Sequence, residues 1–213
     1  MPEYKNPELR NIREGVFEPI SWGEFQKFLE VAYDREHKAL LVFAYVTGIR
    51  PSELGIVKEE IYKEGVWLKT AIRTTKRGVR RILYLPLCNK EMEELWLWIK
   101  EKTFPKEYIF PSFVRVRNPR EKFMHLNEKC GIGRWVEGKF YPLSFYLLRH
   151  NILTLLAQNG ANFLELQMFK GAKLDERIWG TVAPYVHVSQ DLGKRIGRIL
   201  KKILKTENLK NSE

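Results

Sequence analysis

The feature that most constrains the fold is an almost wholly apolar segment, residues 40–46, which reads Leu-Leu-Val-Phe-Ala-Tyr-Val. A helix that is apolar on every side is buried, so other elements must surround it. Gly48 is a typical helix stop, and Pro51 suits the first turn of a following helix. The pattern therefore predicts a buried helix over about 36–47, with Arg50 anchored at the entrance of the next helix and facing a cleft.

Other helices and one β-rich stretch are predicted around this segment. Two β-rich runs, residues 66–72 and 81–86, are joined by the basic hairpin tip 73–80. Helices are expected to start at residues that suit the N-cap position: Ser21, Asn89, Asn118, Ser144 and Asn162. The expected fold class is α+β and mainly α, with a small antiparallel β-sheet or hairpin packed on a helical core.

A last helix is predicted from Ser189, with one basic face and one apolar face that carries Leu192, Ile196, Ile199, Leu200, Ile203 and Leu204. The apolar stripe fits packing within the chain and docking on a partner equally well. Residues 1–19 have mixed charge and no periodicity, which is typical of an arm or linker. We expect that arm, one domain over 20–205, and a disordered tail over 206–213.

The balance of charge narrows the class of partner. The 213 residues include 37 Lys and Arg against 26 Asp and Glu, a formal net charge of +11. Such a charge favours nucleic acid first and an anionic membrane surface second. Two cysteines without CxxC spacing argue against a disulfide scaffold or zinc site, and no apolar run approaches the roughly 18 residues of a membrane span. We expect a cytoplasmic protein that binds nucleic acid and no membrane.

Three residues far apart in the sequence, Arg50, Arg149 and Tyr185, share one chemistry. A planar guanidinium can make two hydrogen bonds to phosphate oxygens and stays charged at any working pH. A tyrosine hydroxyl, with an ordinary pKa of about 10, attacks a phosphate only where cations balance the developing charge. Glu53, one turn from Arg50, can orient that guanidinium. Together these residues predict a phosphoryl-transfer site that needs no metal and no cofactor.

The residues around these three positions resemble the tyrosine recombinase (phage integrase) family, of the archaeal-type or Xer-like kind. The matching stretches are Thr47–Leu54, Ser144–His150 and Tyr185–Val188, in the family's order. The resemblance implies that residues 20–205 are the catalytic domain of a site-specific DNA recombinase, an integrase of a mobile element. It also implies a covalent 3′-phosphotyrosine intermediate, double-stranded DNA as the partner, and a homo-oligomer, a tetramer on DNA, that forms from monomers in solution.

The resemblance also assigns roles to the hairpin tip. Family members carry a lysine there that protonates the departing 5′ oxygen, and Lys76 looks like its counterpart. Lys69, Arg73 and Arg77 are rivals for that role. Contacts to DNA are expected from Arg73, Lys76, Arg77 and Arg80.

Two histidines of the family pattern are replaced in this chain. The His-x-x-Arg box reads Tyr146-Leu147-Leu148-Arg149, and the later Gly-His pair reads Gly171-Ala172. Tyr146 therefore takes the first position. The sixth position of the site is Ala172 itself, or is filled by Lys173, Arg177 or Trp179. His150 is expected behind Arg149, with a direct role left open.

Two other functions fit the same pattern. A recombinase fold that binds DNA but no longer cleaves it is suggested by Tyr146 and Ala172, and a type IB topoisomerase-like enzyme would rejoin the same strand. Residues 133–140 resemble a phosphate-binding loop, but Phe140 stands where Ser or Thr is needed, so we expect a plain basic loop. Most family members also carry an N-terminal DNA-binding domain, which residues 1–19 are too few to supply.

Overall fold

A computed structural model describes residues 18–73, 80–136, 138–171 and 189–205 of the chain. Its helices are α1 (Trp22–Glu30), α2 (Arg35–Thr47), α3 (Lys90–Lys100), α4 (Pro111–Val114), α5 (Pro119–Lys129), α6 (Phe145–Gln158), α7 (Phe163–Lys170) and α8 (Ser189–Ile203). Its strands are β1 (Ile61–Glu64), β2 (Trp67–Arg73), β3 (Arg80–Pro86), β4 (Gly133–Val136) and β5 (Lys139–Pro142). The mainly helical α+β class predicted from the sequence is confirmed.

The predicted helix starts are also confirmed. Each of the five expected N-cap side chains accepts a hydrogen bond from the backbone N–H three residues later: Ser21, Asn89, Asn118, Ser144 and Asn162. Such a bond satisfies one of the backbone donors that the first turn of a helix leaves unpaired. Local sequence therefore sets where these helices begin.

Helix α2 runs through the centre of the molecule. Every residue from Ala39 to Thr47 is buried, as the apolar run predicts. His37, also buried, accepts the backbone N–H of Tyr33 at Nδ1, 3.2 Å away, and its Nε2 lies 2.9 Å from Oδ1 of Asn127 in α5. Burial lowers the pKa of His37, which keeps the ring neutral, as the bond to Nδ1 requires. These contacts fix α2 against α5.

The main sheet has the strand order β1-β2-β3, with both pairs antiparallel. The register places Ile72 opposite Arg81 and Lys69 opposite Tyr84. Because side chains alternate along a strand, Ile72 and Arg81 share one face of the sheet and Lys69 and Tyr84 share the other. The face with Arg81 meets the ends of α2 and α7, since this side chain bonds to both.

Helix α8 covers the opposite face of the same sheet. Its residues Gly193 and Gly197 lie so close that an added Cβ would come within 2.8 Å of the Tyr84 ring and 2.7 Å of the Trp67 ring, respectively. The apolar stripe is buried at Ile196, Ile199, Leu200, Ile203 and Leu204. The sequence allowed this stripe either to pack within the chain or to dock on a partner. In the structure it packs within the chain.

Two expectations about local structure were wrong, and one strand was not predicted. The helix predicted after Arg50 is only a three-residue 3-10 turn, Pro51–Glu53. Residues 133–140 are not a loop: β4 and the first half of β5 form an antiparallel hairpin there, with Trp135 opposite Phe140. The β-rich stretch also has a third strand, β1, that was not predicted. Among the described residues, no helix is both long enough and apolar enough to cross a membrane.

Candidate active site

Arg50 leaves the C-terminal end of α2 and is held by Glu53. Arg50 Nη1 donates to Glu53 Oε1 at 2.7 Å, and the Arg50 backbone N–H donates to Oε2 of the same carboxylate at 3.0 Å. The 3-10 turn makes this pairing possible because it brings residue 53 back over residue 50. The Glu53 side chain is 1% exposed and the Arg50 side chain 39% exposed. The buried Glu53 thus anchors Arg50, while part of the Arg50 side chain reaches solvent.

Arg81 is a member of the site that the sequence analysis did not include. From β3 its Nη2 donates to Glu53 Oε2 at 2.8 Å, so that Glu53 is shared between two arginines. Its Nη1 donates to the backbone oxygens of Thr47, at 2.9 Å, and Phe169, at 2.7 Å. The available signal was the strand alternation, which puts residue 81 on the same buried face as Leu83 and Leu85.

Arg149 projects from α6 toward the same two helix ends. Its Nη1 donates to the Gly48 carbonyl oxygen at 2.6 Å and its Nη2 to the Lys170 carbonyl oxygen at 2.5 Å. Backbone oxygens at a helix C-terminus have no partner within the helix and carry partial negative charge. Arg81 and Arg149 therefore bind adjacent carbonyls at the ends of α2 and α7, and both guanidinium groups are held by the backbone.

Gly48 allows this approach because it has no side chain. It ends α2 in the left-handed conformation, with φ +56°, and its N–H donates to Ala44 at 2.9 Å. A Cβ at this position would lie 3.2 Å from Cγ of Arg149 and 3.1 Å from Cγ2 of Ile152. The glycine that the sequence marked as a helix stop thus also makes room for the second arginine.

The site is strongly cationic. Arg50 and Arg81 are paired with Glu53, and Arg149 lies near enough to feel the charges of all three, so that three positive charges accompany one negative charge. Burial lowers the pKa of Arg149 to about 10, and the charges of Arg81 and Arg50 contribute to this shift. Arg149 still carries its charge at neutral pH. The arrangement is suited to an anion that can accept hydrogen bonds from more than one guanidinium.

Tyr146 and His150 lie beside Arg149 on α6. The Tyr146 side chain is on the surface, and its ring centroid is 6.2 Å from that of His150. Thr154 Oγ1 donates to the His150 backbone oxygen at 3.0 Å and lies 3.4 Å from His150 Nδ1. Burial lowers the pKa of His150, so this ring is neutral at pH 7. Tyr146, the residue that the resemblance places at a histidine position, therefore has the His150 ring one helical turn away.

The other predicted site residues fall into two groups. Outside the described residues lie Lys76, Arg77, Ala172, Lys173, Arg177, Trp179 and Tyr185, together with the side chain of Arg80. Arg73 is described: it is exposed at the end of β2, and its Nε is 3.0 Å from Glu60 Oε1. Lys69, a rival for the hairpin lysine, has its amine over the rings of Tyr62 and Tyr84, on the face of the sheet opposite Arg81.

A cavity of about 450 Å³ opens next to Glu53. It is lined by the turn after Arg50 and by Arg73, Lys106 and Tyr108, among others. Within the described part of the chain, no three His, Cys, Asp or Glu side chains are grouped so that they could hold a metal ion.

Comparisons with known proteins agree with the overall fold. The chain matches the model of the phage integrase family over residues 24–191. An integrase from mycobacterium phage Brujita has the same fold, with a TM-score of 0.55 and 19% identity over 86% of this chain and 58% of that chain. The XerH site-specific recombinase, solved in a pre-cleavage complex with its difH substrate, gives a TM-score of 0.50 and 18% identity over 81% of this chain and 51% of that chain.

The chain spans between half and two thirds of the length of these two structures. Among curated proteins, no sequence matches it significantly.

Proposed function

Because this chain belongs to the phage integrase family, we propose that it is the catalytic domain of a site-specific DNA recombinase. In this proposal it cleaves and rejoins DNA strands through a covalent 3′-phosphotyrosine intermediate. The observation that carries the proposal is that two held arginines meet at the C-terminal end of α2: the buried Glu53 binds Arg50, and Arg149 binds the Gly48 carbonyl oxygen. Guanidinium groups bind phosphate oxygens through paired hydrogen bonds, and the net charge of +11 favours nucleic acid as the source of the phosphate.

The two arginines would act on the charge that develops during strand cleavage. As a nucleophile attacks phosphorus, negative charge grows on the two non-bridging oxygens. Arg50 and Arg149 would donate hydrogen bonds to these oxygens, and because both are already held by protein groups, little reorganisation is needed during the reaction. Arginine suits this role because it keeps its charge throughout.

Tyr185 is the proposed nucleophile. Its oxygen forms a bond to phosphorus while the bond from phosphorus to the 5′ oxygen breaks, leaving a 3′-phosphotyrosine and a 5′ hydroxyl. The 5′ oxygen takes a proton, which we assign to Lys76, and the tyrosine proton passes to a neighbouring base. Among the described residues on α6, the neutral imidazole of His150 is the candidate to receive it, and the Tyr146 hydroxyl beside it can only pass a proton on. The reaction reverses when a 5′ hydroxyl of a partner strand attacks the phosphotyrosine.

The proposal extends to the partner and the assembly. The exposed Arg73 and the hairpin tip that follows it would contact double-stranded DNA, and four copies of the protein would assemble on two DNA sites to exchange strands. Activity slower than that of relatives is expected, because a proton relay is often worth about 100-fold in rate, and both family histidines are replaced here.

The test is a plasmid assay without magnesium or ATP. Supercoiled DNA is incubated with the protein over a range of temperatures and trapped with detergent. The wild-type protein should give relaxed circles and DNA linked to protein through a 3′ phosphate, and Tyr185→Phe should give neither. Tyr33→Phe is the matched control, since Tyr33 lies at the other end of α2 from Arg50 and Lys129 packs on its ring. It should behave like the wild type.

The outcomes separate the three functions. Loss of the covalent product in Tyr185→Phe alone supports the proposal, and exchange between two plasmids distinguishes a recombinase from a topoisomerase-like enzyme. DNA that is bound at every temperature but never linked to the protein would contradict the proposal and favour a DNA-binding module.

A further inference from the structure

The buried ion cluster under the site is asymmetric. Glu53 is paired with Arg50 through Oε1 and with Arg81 through Oε2, at 2.7 and 2.8 Å. The Arg81 side chain is only 2% exposed, whereas Arg50 reaches solvent. Glu53 and Arg81 are thus the buried pair of the cluster, and Arg50 is the member that solvent can reach.

Arg81 is held in place independently of Arg50. Its Nη1 donates to the backbone oxygens of Thr47 in α2 and Phe169 in α7. The Arg81 guanidinium carbon also lies 6.0 Å from the centroid of the Phe169 ring. A guanidinium fixed by two helix ends gives the Glu53 carboxylate a permanent partner. Glu53 is therefore oriented before any anion arrives.

Sharing the carboxylate decides how strongly Arg50 is neutralised. A buried carboxylate needs a cation beside it, because an unpaired charge in the interior costs several kcal/mol. If Arg50 were the sole partner of Glu53, it alone would have to balance the buried negative charge. A phosphate would then compete with Glu53 for the Arg50 guanidinium. With Arg81 in place, the charge of Glu53 is already balanced.

We propose that Arg81 is a positioning residue that holds the Glu53 carboxylate and thereby keeps the charge and donors of Arg50 available to a phosphate of the DNA. The inference rests on the proposed function for the identity of the anion. Arg81 itself touches no substrate in this scheme and acts only through Glu53.

The test measures anion binding directly. Inorganic tungstate, a tetrahedral dianion that resembles phosphate, is titrated calorimetrically into the wild-type protein and into Arg81→Met, Glu53→Gln and the double variant Glu53→Gln/Arg81→Met. Arg81→Met should weaken tungstate binding about tenfold, which is within the usual coupling of groups in one ion network. Glu53→Gln should bind at least as tightly as the wild type. Adding Arg81→Met to Glu53→Gln should change the affinity by less than about twofold.

This cycle distinguishes positioning from a structural role. If Arg81 served only to join α2 and α7, its removal would weaken binding by the same factor with or without the Glu53 charge, and that result would overturn the inference. So would an unchanged affinity in Arg81→Met, or no tungstate binding by the wild type. Circular dichroism shows which variants are folded. If Arg81→Met is not, the comparison of Glu53→Gln with the double variant still decides.

Arg81→Lys adds a second check. A lysine can balance the Glu53 charge but cannot reach both backbone oxygens and the carboxylate with one planar group. Its affinity for tungstate should lie nearer to that of the wild type than to that of Arg81→Met, and the opposite order would overturn the inference. Tungstate binding does not require Tyr185. If the variants show the expected tungstate affinities but plasmid cleavage is absent, the inference about Arg81 stands and the proposed function does not. If cleavage occurs but the affinities differ from those expected, only the inference about Arg81 is overturned.

Discussion

Gly48 is the residue at which α2, Arg50 and Arg149 meet. Its positive φ ends the helix, its carbonyl oxygen accepts from Arg149, and Arg50 follows two positions later. One glycine therefore determines the direction in which the chain leaves α2 toward Arg50 and how closely Arg149 approaches the end of that helix. Its backbone conformation is one that other residues adopt only with strain.

Replacement of Gly48 by alanine should damage the site more than the fold. Both Gly48→Ala and the control Gly65→Ala place a side chain at a positive φ, +56° and +60°, and each should cost about 1–3 kcal/mol of unfolding free energy. At Gly65, in the β1–β2 turn, an added Cβ meets nothing within 4 Å, whereas at Gly48 it presses on Arg149. Since a displacement of about 1 Å can cost roughly 100-fold in rate, only Gly48→Ala should lose covalent DNA linkage to that extent.

Urea unfolding and the detergent-trapped plasmid assay measure the two quantities. Equal loss of linkage in both variants would mean that backbone strain alone, and not the approach of Arg149, explains the need for glycine at position 48.

Among the structural elements, α8 is the one for which the sequence did not decide between packing on its own chain and docking on a partner. Glycines at positions 193 and 197 face the sheet four residues apart, which is one turn of the helix, and they let the backbone of α8 approach Tyr84 and Trp67 closely. Arg195 also reaches across to Glu165 in α7, with Nε 3.1 Å from Oε1. The helix that follows Tyr185 in the chain is thereby tied to the same sheet that carries Arg81.

Gly197→Ala should therefore destabilise the protein, although replacing a glycine by alanine inside a helix usually stabilises it. In an ordinary helix interior, alanine is favoured over glycine by about 1 kcal/mol. Here the new Cβ would lie 2.7 Å from the Tyr84 backbone oxygen and 2.7 Å from the Trp67 ring, so an overpacking cost of about 1–3 kcal/mol is expected instead. Hydrogen exchange in residues 189–203 should become faster.

The control for this change is Arg198→Ala, whose side chain is exposed on the same helix. It should shift the unfolding free energy by no more than about 0.5 kcal/mol. A stabilised Gly197→Ala protein would show that α8 does not rest on the sheet in solution.

The hairpin of β4 and β5 shows why one element was predicted wrongly. Residues 133–140 were predicted to be a basic loop, although β-forming pairs, Trp135-Val136 and Phe140-Tyr141, lie on either side of Gly138, which has φ +77°. A glycine at such a turn is a strong hairpin signal. The mixture of aromatic and basic residues in both halves concealed it.

For the molecule as a whole, the distribution of charge should decide how DNA binding depends on salt. Arg73 and Arg35 are both exposed arginines paired with a glutamate, Glu60 and Glu101, respectively. Arg73 borders the cavity beside Glu53, whereas Arg35 begins the 13-residue helix α2, about 20 Å from the end where the site lies. The proposed DNA interface includes the first and excludes the second.

Arg73→Gln should therefore reduce the slope of log affinity against log salt concentration by about 0.9, the value for one phosphate contact on duplex DNA. Arg35→Gln removes the same charge and should leave the slope unchanged. The measurement is a fluorescence titration of duplex DNA at several salt concentrations. Equal effects of the two substitutions would indicate that binding responds to net charge alone and has no interface at the arginine cluster.

Local sequence determined the helices and their caps, because a cap and an apolar periodicity depend on residues within one or two turns of each other. The short motifs around Arg50 and Arg149 likewise indicated the family, and the family match confirms that assignment. The pairing of Arg50 with Glu53 was accessible for the same reason, since three positions separate them.

Only the tertiary structure decided which groups share Glu53 and which face of the sheet α8 covers. Arg81 lies 28 positions from Glu53 and 88 from Phe169, so no local pattern specifies that these groups meet. The alternation of β3 indicated that residue 81 is buried, but what a buried guanidinium binds depends on which helix ends pack against that face. These contacts are set by the packing of the whole core, and they bring two separate arginines together on one carboxylate.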